Sequence, residues 1–263
     1  MTEHSTRSRS NGYGIAVEGR CGADAVARLA RLAELHGYAS FWFNVTADVV
    51  DPVRTLAGVL AATSQLEVGV GVIPLDAHPA DRISAQLSEL GPLLRRCRIG
   101  VGVGRARLGA LRLAEVGVTT LRTALPGVPV VLAAVGPRML SQAATQADGV
   151  LLGMVSPEDA DAAIRRVSAT AATAGRAAPT AYLYHRVARG PAGGPLIRAQ
   201  MQAYGVAADG PTTVVGTVAD TPDDVRRDLA TYPTELVALL RPLTEHSGDE
   251  SEQAAMLTWL APA

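Results

Sequence analysis

The sequence contains no lysine, because all 24 of its basic residues are arginine. A chain without lysine cannot form a Schiff base through a side chain, and it cannot build the lysine-dependent phosphate loop of P-loop proteins. Cysteine is nearly as scarce, with Cys21 and Cys97 only. Two distant cysteines supply neither a metal cluster nor a disulfide framework, so we expect a reducing, cytoplasmic location.

Other absences exclude further classes of protein. No run of about 18 apolar residues is present, so we expect no membrane span. Residues 1–12 are polar and lack the apolar core of a signal peptide, which predicts a disordered tail. A net charge of −1 argues against a nucleic-acid partner. We find no catalytic-triad, zinc-protease, Rossmann or Walker motif, so hydrolase and metal chemistry lack support.

What is present is enough apolar sequence for a large core, with 48% hydrophobic and 19% charged residues in a chain of 263. No linker divides the chain, and one (β/α) barrel takes about 250 residues. We therefore predict a single domain over residues 13–263.

Eight short apolar runs alternate with stretches of helical periodicity. Runs that are apolar throughout indicate strands covered on both faces, as in parallel sheets. Eight such units predict a closed (β/α)8 TIM barrel, with an open doubly wound sheet as the alternative. The predicted strands are Tyr13–Val17, Ser40–Val45, Leu66–Ile73, Arg98–Val103, Val128–Ala134, Val150–Met154, Thr180–Ala188 and Glu235–Arg241.

The fifth of these units contains the most distinctive turn, VPVVLAAVGPRML, at residues 128–140. Gly136 and Pro137 end the strand and open a helix, and Arg138 follows at once. The free N–H groups of a helix N-terminus attract anions, and a guanidinium beside them adds charge. The turn therefore indicates an anion site, with an ordinary strand–helix connection as the alternative.

Seven stretches occur in order over about residues 38–243, namely SFWF, DPVRTLAGVLAATSQLEVGVGVIPL, RIGVGVG, VPVVLAAVGPRML, ADGVLL, VVGTVADTPDDVRRDL and ELVALLRPL. Together, and in this order, they resemble the bacterial luciferase-like monooxygenase family. The resemblance implies a TIM barrel that binds FMN or the deazaflavin coenzyme F420. It implies an oxidoreductase that performs monooxygenation or hydride transfer on a small organic substrate. A homodimer is expected, and a flavin reductase or partner subunit is a candidate partner.

The resemblance also implies which residues hold the cofactor. The third strand of relatives often carries a bulge with a non-prolyl cis peptide against the ring, and the matching positions are Gly71 and Val72. The alternative is that Gly69 and Gly71 only relieve crowding in the barrel. The other matching positions lie after the fourth and fifth strands, beside the ring and its phosphate tail. They are Val103, Gly104, Arg105, Ala134, Val135, Gly136 and Arg138.

The chain departs from the family in ways that bear on activity. Val45 and Thr46 stand where many relatives carry an acidic residue and a histidine, and Arg105 replaces another frequent acid. The long excursion after the fourth strand is largely absent, which predicts an open site. We expect Asn44, Thr46 and His185 to face the substrate. The alternative is a luciferase-like barrel that binds without turnover and acts as a cofactor carrier or a partner subunit.

Overall fold

The computed structural model describes residues 13–46, 49–204, 215–246 and 248–262. The predicted tail, residues 1–12, lies outside these ranges. Within them the chain alternates between strands and helices from β1 to α9. The strands are β1 (Gly14–Val17), β2 (Ser40–Phe43), β3 (Glu67–Pro74), β4 (Cys97–Gly102), β5 (Val130–Ala133), β6 (Gly149–Gly153), β7 (Thr180–Arg189), β8 (Thr217–Ala219) and β9 (Val237–Pro242). The α-helices are α1 (Ala23–Leu35), α2 (Pro52–Ala62), α3 (Ala80–Ser88), α4 (Ala110–Ala124), α5 (Pro137–Gln146), α6 (Pro157–Thr173), α7 (Gly193–Ala203), α8 (Pro222–Leu229) and α9 (Glu250–Trp259).

Eight of the described strands close into a parallel barrel. Each of β1 to β7 pairs with the next, β7 pairs with β9, and β9 returns to β1 through Gly14 opposite Leu239. This closure confirms the TIM barrel and excludes the open sheet. The short β8 pairs with the end of β7, at Val187–Arg189, and lies outside the ring.

The strands bury a different core on each face. Outward-facing residues such as Ile15, Phe41 and Leu240 pack under the helices in the large core. Inward-facing residues form a separate cluster that fills the barrel, which includes Ala16, Trp42, Val131, Leu151, Tyr182, Tyr184 and Leu239. Because side chains alternate along a strand, these clusters show which residues of each strand face the barrel axis.

The connections at the carboxyl ends of the strands differ in how they start the following helix. Asp51 accepts from the backbone N–H groups of Val53 and Arg54 at 3.0 Å, which caps α2. Ser156 and Asp249 cap α6 and α9 in the same way. At α5 the N-cap residue is Gly136, which has no side chain to bond the first turn. The first N–H groups of α5 therefore lack the cap that these other helices carry.

The structure differs from the sequence-based prediction mainly after β7. Helix α7 occupies part of residues 189–211, which the sequence left unassigned, and β8 follows it. Helix α7 packs Ile197 and Met201 against Ala188 of β7 and Leu243 after β9. Between β4 and α4 only residues 103–109 intervene, which confirms that the long excursion is missing.

Candidate functional site

The mouth of the barrel, at the carboxyl ends of the strands, is lined by small residues along β3 to β6. We call Val72, Gly102, Ala133 and Gly153, which face inward there, the shelf. A Cβ added to Gly102 would come within 2.9 Å of Val72 Cγ2 and 3.7 Å of Ala133 Cβ. Gly102 is therefore covered by Val72, whereas Val72, Ala133 and Gly153 are partly exposed and form the surface of the shelf on this side of the mouth.

The edge of the shelf on β3 has the backbone geometry that the family resemblance implied. The peptide bond between Gly71 and Val72 is cis. The β3–β4 register shifts between Val70 and Ile73, so a bulge occupies the same place. The hydroxyl of Tyr184 donates to the carbonyl oxygen of Gly71 at 2.8 Å and fixes this backbone from below.

Aromatic rings fill the barrel beneath the shelf. Trp42 is fully buried, and its ring lies 6.4 Å from that of Tyr184 and 5.2 Å from that of Tyr182. Gly69 makes room for this packing, since a Cβ there would meet Trp42 Cδ2 at 2.0 Å. A Cβ on Gly71 would meet the Tyr184 hydroxyl at 2.0 Å. The glycines therefore do relieve crowding inside the barrel, and the shelf rests on a packed floor.

The opposite side of the mouth carries three buried charged residues, which we call the charged triad: Glu18, Arg186 and Arg241. Glu18 follows β1, and its carboxylate forms an ion pair with Nη2 of Arg241 on β9. Arg186, on β7, donates through Nε to the side-chain oxygen of Gln200 on α7. Its Nη1 lies 3.7 Å from where a Gly153 Cβ would stand, so the triad adjoins the shelf.

The triad contains two guanidinium groups and one carboxylate. Burial, together with the positive charge of Arg241, lowers the pKa of Arg186 to about 9. Burial alone would also lower the pKa of Arg241, but the adjacent Glu18 outweighs it and the net pKa is raised. Both arginines therefore stay protonated at neutral pH, and the three residues of the triad together carry one uncompensated positive charge.

The turn after β5 is open to solvent and electropositive. A Cβ on Gly136 would meet no atom within 4 Å, and Val135 is 68% exposed. Ala134 is buried and anchors the turn by donating its N–H to the carbonyl of Leu151 at 3.1 Å. Arg138 is exposed in the first turn of α5. Uncapped N–H groups, an open approach and an arginine in the first turn are features that favour an anion at this turn.

In the turn after β4, where the resemblance implied a phosphate contact through Arg105, the backbone already binds a carboxylate. The backbone N–H of Arg105 donates to Oδ2 of Asp76 at 2.8 Å, and Gly104, at φ +60°, lies directly against the same carboxylate. A negative charge that already occupies this amide disfavours an anion there. Val103 packs against the outer core, so it is Gly102 that faces the mouth on β4.

The two polar residues after β2 bond to the loop that follows β1. Asn44 Oδ1 accepts from the backbone N–H of Gly19 at 2.8 Å. Thr46 Oγ1 accepts from Arg20 Nε at 3.3 Å. Both side chains lie at the rim, where they tie the β1 and β2 loops together.

His185 faces away from the mouth, which does not fit the substrate-facing role we expected. It is 2% exposed and lies under α8, where Nε2 is 2.7 Å from Thr217 Oγ1 and 3.2 Å from Asp228 Oδ2. The hydrogen bond with His185 lowers the pKa of Asp228. Because Tyr184 faces inward, its neighbour His185 must face outward, and the next residue, Arg186, returns to the mouth.

The residues that sequence reasoning missed are Glu18, Arg186 and Arg241. Each is a charged residue at the end of, or inside, an otherwise apolar run, as in TAYLYHRVA and ELVALLR. A charge in a strand that is covered on both faces is a recognisable signal, because such a charge must be paired or face a polar site.

The described ranges contain neither a metal-binding cluster nor a membrane-spanning helix. No cluster of three or more His, Cys, Asp or Glu side chains there could hold a metal ion. No helix in the same ranges is both long and apolar enough to cross a membrane.

The closed parallel barrel defines a TIM-barrel protein. In such barrels ligand sites lie at the carboxyl ends of the strands, the end that carries the shelf and the α5 turn. The chain belongs to the luciferase-like monooxygenase family, whose model matches residues 3–108 and 109–257. This is a family of oxidoreductases.

Individual relatives are distant in sequence. The 5,10-methylenetetrahydromethanopterin reductase of Methanolobus tindarius is 24% identical over 184 residues, 57% of this chain and 56% of that protein. The chain thus aligns with about half the length of this curated relative. The coenzyme F420 dependent tetrahydromethanopterin reductase of Methanopyrus kandleri has a similar fold, with a TM-score of 0.69, 16% identity, and coverage of 95% of this chain and 97% of that one.

An FMN complex has the same fold. It is the oxygenating constituent of 3,6-diketocamphane monooxygenase, from the CAM plasmid of Pseudomonas putida. Its TM-score is 0.71 at 11% identity, over 95% of this chain and 97% of that one. Similar barrels therefore occur both in an F420-dependent reductase and in an FMN-binding monooxygenase.

Proposed function

We propose that the chain is an oxidoreductase that binds FMN or the deazaflavin coenzyme F420 at the barrel mouth. The observation that carries this proposal is the open shelf beside the uncapped N-terminus of α5. A flat ring fits a surface of small side chains, and a phosphate tail fits free N–H groups next to Arg138. Both features lie on the β3–β6 side of the mouth.

Different residues of the chain would hold the ring and the phosphate tail of this cofactor. The backbone at Gly71 and Val72 would support the ring, and Gly102, Ala133 and Gly153 would give it room. The α5 turn at Gly136 would bind the tail. When bound, either cofactor supplies hydride transfer, and reduced FMN with oxygen supplies monooxygenation.

The described mouth has few groups that exchange protons at neutral pH. Asn44 and Thr46 are neutral hydrogen-bonding groups, and His185 is turned outward. No histidine occurs among the inward-facing strand residues that the structure describes. Amide and hydroxyl groups orient substrates but shuttle protons poorly near pH 7. This arrangement favours hydride transfer over steps that need a proton relay, and it also supports a second candidate, a barrel that binds cofactor without turnover.

Direct titration with each cofactor tests the proposal. We expect FMN or coenzyme F420 to bind purified protein with a change in its visible spectrum. A ligand at 100 times its dissociation constant raises stability by about 2.7 kcal/mol, which a thermal melt detects. If neither cofactor shifts the spectrum or the melt, the proposed function is wrong. A bound cofactor that no reductant turns over would identify the second candidate.

The α5 turn can be tested by one substitution. Arg138→Ala removes a charge-assisted contact to the phosphate, so we expect cofactor affinity to fall roughly ten- to a hundredfold. Because Arg138 is exposed, the free energy of unfolding should stay within about 0.5 kcal/mol of wild type. The matched control is Arg95→Ala, an exposed arginine at the other end of the barrel. Equal affinity in both variants would assign the α5 turn to an ordinary strand–helix connection.

Homodimer formation, a cytoplasmic location and a flavin reductase or partner subunit stay predictions of the family resemblance. Size-exclusion chromatography with light scattering tests the first of these directly.

A further inference from the structure

The charged triad lacks one negative charge. Arg186 and Arg241 are each 4% exposed, and Glu18, which is 7% exposed, is the single carboxylate beside them among the described residues. Glu18 pairs with Arg241. Within the part of the chain that the structure describes, Arg186 contacts the neutral Gln200, the carbonyl oxygen of Tyr184 and the ring of Tyr204, 6.0 Å away. Buried charges are ordinarily paired, since an unpaired one loses its hydration without compensation.

A donor in the same triad is also unsatisfied. The Nε–H of Arg241 is buried and meets no hydrogen-bond acceptor among the described residues. Buried donors without a partner are rare in native proteins, and one at a ligand site often marks the position of a missing acceptor. An unpaired charge and an unpaired donor thus occur on adjacent arginines at one side of the mouth.

We propose that Arg186 and Arg241 bind a carboxylate group of the substrate on the charged side of the mouth. One carboxylate neutralises the triad, whereas a dianionic phosphate would leave it negative. A planar carboxylate also matches the two parallel donors of a guanidinium. Since Arg186 borders Gly153, a carboxylate held there lies next to the shelf, where the rest of the substrate would face the ring.

The assignment of this carboxylate to a substrate rests on the proposed function. Carboxylate binding itself can be measured without any cofactor. The probe is benzoate, and the matched control is benzamide, a neutral molecule of nearly the same shape. Both are titrated into wild-type protein in thermal melts at constant ionic strength. We expect benzoate to raise the melting temperature and benzamide to leave it unchanged. Equal responses to the two would overturn the proposal.

Variants place the binding at the triad. Arg186→Gln removes the charge, so we expect benzoate to bind roughly ten- to a hundredfold more weakly. Arg186→Lys keeps the charge but loses the planar fork of donors. Its affinity for benzoate should therefore lie between those of wild type and Arg186→Gln. Arg95→Gln, at the other end of the barrel, should match wild type. A benzoate response that survives in Arg186→Gln would refute the site, and Arg186→Lys decides the matter if the glutamine variant does not fold.

A final titration separates substrate from cofactor as the source of the anion. Benzoate that binds equally well with FMN or coenzyme F420 present supports the substrate assignment. If the cofactor displaces benzoate, the cofactor itself occupies this position, and the assignment to a substrate carboxylate is overturned. If neither cofactor binds while benzoate does, the proposed function fails and the carboxylate site stands.

Discussion

Glu18→Gln is expected to lower the free energy of unfolding by about 3–5 kcal/mol, because it leaves buried guanidinium groups without their counter-charge. The glutamine keeps the shape of the side chain and one acceptor oxygen, so the loss measures charge and not packing. The backbone N–H of Glu18 keeps its bond to Gln253 Oε1 at 2.8 Å. Urea denaturation of the two proteins measures the difference.

Two further variants show whether the loss of stability comes from the burial of the charges or from the loss of an ion pair alone. Glu250→Gln removes the partner of Arg28 in an exposed pair, with side chains 64% and 34% accessible, and should cost less than about 1 kcal/mol. In the double variant Glu18→Gln/Arg241→Met one of the stranded cations is also removed, so much of the lost stability should return. A Glu18→Gln variant as stable as Glu250→Gln would mean that the mouth is better hydrated than its burial indicates.

Trp42→Ala is expected to cost about 3–5 kcal/mol, since it empties the floor of the barrel at a fully buried position. The reciprocal change, Gly69→Ala, overfills the same space, because its Cβ would meet Trp42 Cδ2 at 2.0 Å, and should cost about 1–3 kcal/mol. Leu108→Ala, at a side chain that is 97% exposed, is the control and should stay within about 0.5 kcal/mol of wild type.

The double variant Gly69→Ala/Trp42→Ala tests whether the two positions share one space. With the indole gone, the new methyl group enters the vacated volume, so the combined loss should be smaller than the sum of the single losses. Strict additivity in a double-mutant cycle would show that Gly69 and Trp42 do not contact each other as the structure has them.

Most of the fold could be predicted from the sequence, because its strands are apolar throughout and its helices are bounded by capping and turn residues. The missed element, α7, begins with Gly193, Gly194 and Pro195, which dilute the helical pattern of the residues that follow. A proline fits the first turn of a helix, so this composition starts α7 although it looks like a loop. The three-residue β8 is too short for periodicity to detect.

The site was harder to predict from the sequence than the fold, because the strand register decides which side chains face into the barrel. Arg186 could be placed by alternation from its neighbours, but whether it or His185 entered the barrel required the pairing of β7 with β6 and β9. Nor could local sequence predict that Asp76 would take the N–H of Arg105, because that contact joins two separate turns. The backbone at Gly71 and Val72 followed from the family resemblance and is confirmed.

The closure of the barrel joins the two ends of the described chain. Besides the pairing of β1 with β9, the hydroxyl of Tyr13 donates to the carbonyl oxygen of Leu260, 247 residues away, at 2.7 Å. Tyr38 donates in the same way to Leu257. During synthesis, β1 leaves the ribosome before every other strand of the ring, yet its partner on one side is β9, the last of them. The nascent chain must therefore carry β1 with one unpaired edge until β9 has been translated.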